Sequence, residues 1–169
     1  MLVGEGDPDK RELPPGEYWY DDVRIGDHFT TAGVTVTETH VVAFAGLSGD
    51  LFDVHMDDDF ARSQGFSGRI AHGLLGLALA DGLKTRSPVR LMGVATLGWT
   101  WSFRAPIMIG DRICARIEIE HHRLTRRGDR GILKLRMQIL KQDKSVAQEG
   151  HSELLVRRRE SVPPNVSIS

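Results

Sequence analysis

Gly73–Lys84, GLLGLALADGLK, is the stretch on which the fold turns, read together with the strands that follow it. Leu74, Leu75, Leu77, Ala78, Leu79 and Leu83 spread around most of the circumference of a helix, which leaves no broad polar face. Such a helix is expected to be buried. Downstream the apolar period changes to two: Ile113, Ala115, Ile117 and Ile119 alternate with Cys114, Arg116, Glu118 and Glu120. After a turn at Arg127–Gly131, Leu133, Leu135, Met137 and Ile139 alternate with Lys134, Arg136 and Gln138. Gln142–Ser145 turns the chain into a last strand that runs to about Val156. Leu91–Arg104, rich in Trp, Thr and Phe, makes an earlier strand that ends before Pro106. One buried helix followed by four amphipathic antiparallel strands defines an α+β class, with a sheet wrapped around the helix.

Upstream of that helix the signals are shorter. Glu38–Leu47 reads as a helix stopped by Gly46 and Gly49, and Asp58–Gln64 as another, with Asp57 as its N-cap and Gly65 as its stop. Residues 1–17, with Pro8, Pro14 and Pro15 among glycines and charges, are expected to form a flexible arm. The domain is then expected over 18–157, with 158–169 as a frayed tail whose Pro163 and Pro164 deny donors to a sheet.

A chain of 169 residues fits one domain with a single core. Lys and Arg number 22 against 23 Asp and Glu, so no global field attracts nucleic acid or an anionic membrane. The longest apolar run, Ile70–Leu83, is interrupted by His72 and Asp81 and falls short of a bilayer span, and Met1–Lys10 lacks the apolar core of a signal peptide. The single cysteine, Cys114, excludes an internal disulfide and a multi-cysteine metal site. A cytoplasmic location is expected.

Polar residues with chemical potential concentrate in Phe44–Gly73, FAGLSGDLFDVHMDDDFARSQGFSGRIAHG. Asp50 and His55 lie in a glycine-bearing, non-periodic stretch between two short helices, where a loop can bring a carboxylate and an imidazole around one water. Such a pair can take a proton from water and return one. An Asp after Gly is also a common turn residue, and a lone His is commonly a packed side chain. Ala71-His72-Gly73 opens the long helix, whose first amides have no intrahelical partner and can hold an oxygen that gains negative charge. Glycine at that point allows close approach, and equally meets a steric need at a helix start.

The blocks Phe44-Ala-x-Leu-Ser48-Gly49-Asp50, His55, Phe60-Ala61-Arg62, Gly65-Phe66 and Arg69-Ile-Ala-His-Gly73 resemble, in order, the MaoC-like acyl dehydratase family, which includes the (R)-specific enoyl-CoA hydratases. Tyr20–Asp27 is similar to that family's opening strand, and Phe103–Asp111 to a sheet segment. The likeness covers about Tyr18–Val156. It implies a hotdog fold, a single domain with an antiparallel sheet around a long central helix. It also implies reversible syn addition of water to a trans-2-enoyl-CoA, giving an (R)-3-hydroxyacyl-CoA. The resemblance places Asp50 and His55 at the catalytic positions and the Gly73 amide at the oxyanion position. Ser48, where the family has Ser or Thr, is expected to orient the loop or equally to cap the helix end, and Ser48, Phe52 and His72 are expected on the substrate side. No cofactor and no metal is implied. The partner is an acyl-CoA thioester, and a homodimer or a multiple of it is expected.

This chain departs from the pattern at Phe52 and Asp53, where the family often has Asn and Pro. The change is expected to bring an aromatic wall and an extra charge, so that branched, aromatic or carboxylated acyl groups enter consideration. A hotdog thioesterase and a non-catalytic acyl-CoA binding module are the rival readings. Elsewhere, His121 and His122 point to opposite faces of a strand and make a poor metal site. Arg123, Arg126, Arg127 and Arg130 read as a solvated hairpin that could also meet CoA phosphates. Trp99 and Trp101 share one sheet face.

Overall fold

The computed structural model describes residues 10–159. Its elements in chain order are β1 (Gly16–Tyr18), β2 (His28–Thr30), β3 (Val34–Thr35), α1 (Glu38–Ser48), α2 (Asp53–Met56), α3 (Asp58–Ser63), α4 (Gly73–Thr85), β4 (Val89–Leu91), β5 (Gly93–Phe103), β6 (Arg112–Leu124), β7 (Arg130–Leu140) and β8 (Val146–Arg157). The main sheet runs β2-β6-β7-β8-β5 with β3 also on β6, and every pairing in it is antiparallel. The period-two residues behave as their pattern requires. Ile113, Ala115, Ile117 and Ile119 of β6 and Leu133, Leu135, Met137 and Ile139 of β7 are all buried, and they face a core shared with Leu75 and Ala80 of α4. Each large aliphatic side chain so buried contributes about 1.5–3 kcal/mol. A long helix lies on one face of a curved antiparallel sheet, which is the hotdog arrangement.

The helix itself corrects an expectation. Leu75, Gly76, Ala80, Leu83 and Lys84 are buried, but Leu74 is 62% exposed and Ala78 is exposed. A single sheet covers only one side of a helix, so the apolar circumference of α4 is half used within one chain. Two further differences arise where short segments pair locally. The stretch read as one strand from Leu91 breaks at Met92, because β4 pairs in parallel with β1 while β5 pairs with β8. Tyr20–Asp22, in the segment likened to an opening strand, forms a 3-10 turn.

Packing and pairing also reach residues outside 18–157. Leu13 is 3% exposed in the core, and Arg11 donates Nε to Asp27 Oδ1 at 2.8 Å and Nη2 to Asp27 Oδ2 at 2.6 Å. Asp27 is itself buried, and this fork together with the Arg24 amide holds its carboxyl below the usual carboxylate range against the opposing effect of burial. Arg158 and Arg159 pair with Asp21 and Asp22 at 2.9 Å each, so the last described residues are tied back to the turn after β1. The remainder of the expected arm and tail, 1–9 and 160–169, lies outside the described residues.

Candidate active site

The site forms where α1 ends. Thr37 caps the start of α1, and Gly49 stops it in the left-handed conformation (φ 78°), donating its amide to Ala45 O. A residue with a side chain is strained there, so the glycine sets the angle at which the next residue leaves. Ser48 Oγ donates to Phe44 O at 2.7 Å and accepts the Asp50 amide at 3.2 Å. Ser48 thus organises the backbone of the loop. Asp50 is exposed, and one of its carboxylate oxygens accepts the Phe52 amide at a long 3.3 Å, which leaves the carboxylate largely free.

Four residues of helix, α2, then carry His55. The Ile70 amide donates to Val54 O at 3.2 Å, and the His55 Nδ1–H donates to Ile70 O at 2.8 Å. A carbonyl only accepts, so Nδ1 holds the proton of the neutral ring and Nε2 keeps its lone pair. Burial pushes the His55 imidazole below its ordinary value, and neighbouring His72 adds to that shift, against the opposing Ile70 bond and Asp50 charge. His55 is therefore an unprotonated base at neutral pH.

Asp50, His55 and His72 each offer a ligand-type atom, and these atoms lie within 4.8 Å of one another. Among the described residues no hydrogen bond joins the Asp50 carboxylate to His55, so the spacing accommodates a water molecule between two acceptors. The same three groups invite comparison with a metal centre. The His55 and His72 rings are stacked, with centroids 3.8 Å apart and planes at 29°, and each commits one ring nitrogen to a backbone carbonyl.

Asp50 and His55 open on a cavity of about 650 Å³ whose apolar wall includes Phe44, Phe66, Ile70, Phe103, Pro106 and Ile107. Gly73 lies on the same wall at the start of α4, and a Cβ there would come 2.7 Å from Phe103 Cε1. Bare backbone therefore faces the space, with first-turn amides that the helix cannot use. The cation on the wall, Arg104, is held by Glu149 at 3.0 Å.

Of the residues singled out from the sequence, Ser48, Asp50, His55, His72 and Gly73 all border this cavity. Phe52 does not: it is 59% exposed and stands edge-on to Phe60 and His55 with centroids 5.8 and 6.5 Å away, so it flanks the base from outside. Asp53 is exposed at the first turn of α2. His72 is 2% exposed and spends its Nε2 on Asp50 O at 2.9 Å. None of Arg123, Arg126, Arg127 and Arg130 borders the cavity. Gln148 was not anticipated: buried on β8, it donates Nε2 to Gly73 O at 3.0 Å and accepts Trp101 Nε1 at 2.9 Å. Its only sequence signal was an amide side chain in a strand bound for the core.

The family profile described as MaoC like domain matches residues 22–138, and the chain belongs to that family. It is 32% identical over 103 residues to the (R)-specific enoyl-CoA hydratase of Rhodospirillum rubrum, a match covering 60% of this chain and 69% of the relative. It is 33% identical over 112 residues to the (R)-specific enoyl-CoA hydratase of Aeromonas caviae, over 66% and 80% of the two chains. The crystal structure of the MaoC-like dehydratase from Rhodospirillum rubrum superposes with a TM-score of 0.78 at 27% identity, covering 84% of this chain and 98% of the other.

Proposed function

We propose that the protein is a hydro-lyase that reversibly adds water, syn, to a trans-2-enoyl-CoA to give an (R)-3-hydroxyacyl-CoA. The observation that carries this reading is an Asp50 carboxylate and an unprotonated His55, a water's width apart, on a cavity that also exposes the start of α4 at Gly73. In the hydration direction a water held by Asp50 and His55 gives its proton to His55 Nε2 as its oxygen bonds to C3. The C2–C3 π electrons move to C2 and the thioester carbonyl, whose oxygen gains charge against the Gly73 amide. Proton return from the pair to C2 completes the addition, and the reverse steps give dehydration. No atom is left over and no redox partner is needed.

The cavity also bears on the acyl group. Its wall is apolar and its cation is already paired with Glu149, so an uncharged acyl chain fits and a terminal carboxylate would lie uncompensated. The outward positions of Phe52 and Asp53 favour the same conclusion. Leu74 on α4 and Val94 and Leu97 on edge strand β5 are exposed, which supports pairing of two chains through that side. No helix among the described residues is long and apolar enough to cross a membrane, and with the lone Cys114 this supports a cytoplasmic setting.

The test is a panel of straight-chain, branched and carboxylated 2-enoyl-CoAs, with loss of the conjugated thioester absorbance and release of free thiol measured in parallel. Loss of conjugation without thiol release is expected. Stoichiometric thiol would make the protein a thioesterase, and tight binding without turnover would make it a binding module.

A further inference from the structure

His72 is the residue just before α4, yet its side chain makes no cap bond to that helix. It points back across the site instead. Its Nε2–H donates to the backbone carbonyl of Asp50 at 2.9 Å, twenty-two residues away in sequence, and its ring is packed between His55 at 3.8 Å and Phe44 at 5.1 Å. Asp50 therefore has both of its backbone polar groups held by side chains: the amide by Ser48 Oγ at 3.2 Å, and the carbonyl by His72. Without these two contacts, little else anchors this exposed residue after a left-handed glycine.

Resting on the hydratase reading, we propose that His72 is a positioning residue that fixes the Asp50 backbone through Nε2 and sets the plane of the His55 ring by stacking. Two features suit histidine to this task. The flat ring packs against both Phe44 and His55. Its Nε2–H reaches the Asp50 carbonyl. With the Nε2 proton committed to Asp50 O, the neutral ring carries no proton on Nδ1, an atom that is buried with no hydrogen-bond partner among the described residues. A buried acceptor left unpaired is unfavourable, so it does not itself hold the ring in place. The other ring nitrogen's bond to Asp50 is what holds the ring in this orientation.

The two stacked histidines are consequently locked in opposite tautomers, His55 with its proton on Nδ1 and His72 with its proton on Nε2. This has a readout that needs no turnover. In histidine ring ¹⁵N spectra of the full chain at neutral pH, the two signals assigned by comparing His55→Gln and His72→Gln are expected to show His55 protonated at Nδ1 and His72 at Nε2. His72 protonated at Nδ1, or mixing between tautomers, would overturn the proposal. For activity, His72→Phe keeps a ring against Phe44 and His55 and removes the donor, whereas His72→Gln keeps a donor and removes the ring. His72→Phe is expected to lower kcat by about tenfold to a hundredfold, the scale of a small misplacement of reacting groups, with KM changed less than about threefold. His72→Gln is expected to recover part of that loss. Full kcat in His72→Phe would overturn the assignment, as would a Gln variant no better than Phe at equal folded fraction. If wild type hydrates none of the enoyl-CoA panel, the hydratase reading fails, while the tautomer pair still decides the role of His72.

Discussion

His55 donates its Nδ1–H to the carbonyl oxygen of Ile70 at 2.8 Å, and this one contact makes Nε2 the nitrogen available to the cavity. Ile70 is itself held in place, since it bridges to Met108 and the next amide, that of Ala71, donates to Ile107 O at 2.8 Å. His55 is thus oriented from the sheet side and the Asp50 carboxylate from the helix side, with Ser48 at the end of α1 fixing the Asp50 amide. A water placed between them meets two acceptors already set in direction, which is the preorganisation that proton transfer needs.

Removing either acceptor is expected to stop the chemistry and spare the fold. Asp50 is exposed and His55 half-buried, so Asp50→Asn and His55→Gln keep most packing while deleting a proton acceptor. Each should lower kcat by about 10²–10⁴-fold with a melting temperature close to wild type. Near-normal turnover in both folded variants would remove the assignment.

The pH profile should carry the signature of a buried base. Burial sets the His55 imidazole below the ordinary value of 6.5, so kcat/KM is expected to stay level down to that pH and fall only on a limb below it. The sign for stability follows from the same direction. A histidine whose folded value is depressed contributes stability that is present above the unfolded value and is lost as pH falls through the folded one. His55→Gln should therefore flatten the acid dependence of unfolding below pH 6.5 relative to wild type. An acid limb above that value would contradict the burial argument.

Gly76 tests how tightly α4 is seated. A Cβ at this position would lie 2.5 Å from Gln148 Nε2 and 2.9 Å from Ile107 Cδ1. Both neighbours are buried, so Gly76→Ala should cost about 1–3 kcal/mol despite the better helix propensity of alanine. At about 2–4 °C per kcal/mol for a chain of this size, a calorimetric scan resolves it. An unchanged or raised melting temperature would show that Gln148 yields without cost.

The exposed apolar side of α4 and the edge of β5 left unpaired among the described residues suit a second chain. Light scattering of the purified protein should give the mass of two chains or a multiple of two, and Leu97→Asp, a charge on the half-exposed edge strand, should shift it towards one. A monomer at micromolar concentration in the wild type would contradict the pairing.

Much of the architecture was legible because burial imposes a period. β6 and β7 emerged from strict alternation, and the N-cap role of Asp57 is borne out by its carboxylate accepting the Asp59 and Phe60 amides at 2.7 and 2.9 Å. What escaped was set by contacts that carry no pattern. Leu13 is a lone apolar residue among prolines and charges, and only the sheet around it makes it core. α2 is four residues long, too short to show a period, and is pinned by the Ile70 backbone. In α4 the apolar circumference was plain, but which side stays open depends on how many sheets cover it. The site divides the same way. Asp50 and His55 were visible as chemical types at a workable spacing, whereas Ile70 contributes a carbonyl, which any residue has. His72 acts on the backbone of a residue far off in sequence, and that is invisible before folding.

The most direct measurement is the stereochemistry of hydration in D2O, with the product of a trans-2-enoyl-CoA hydrolysed and resolved by chiral chromatography and proton NMR. An Asp50 and His55 pair that holds the water and returns the proton on one face predicts deuterium at C2 added syn to the hydroxyl, and the proposed function predicts the (R)-3-hydroxyacyl product. An (S)-3-hydroxy product, or deuterium added anti, would contradict the account.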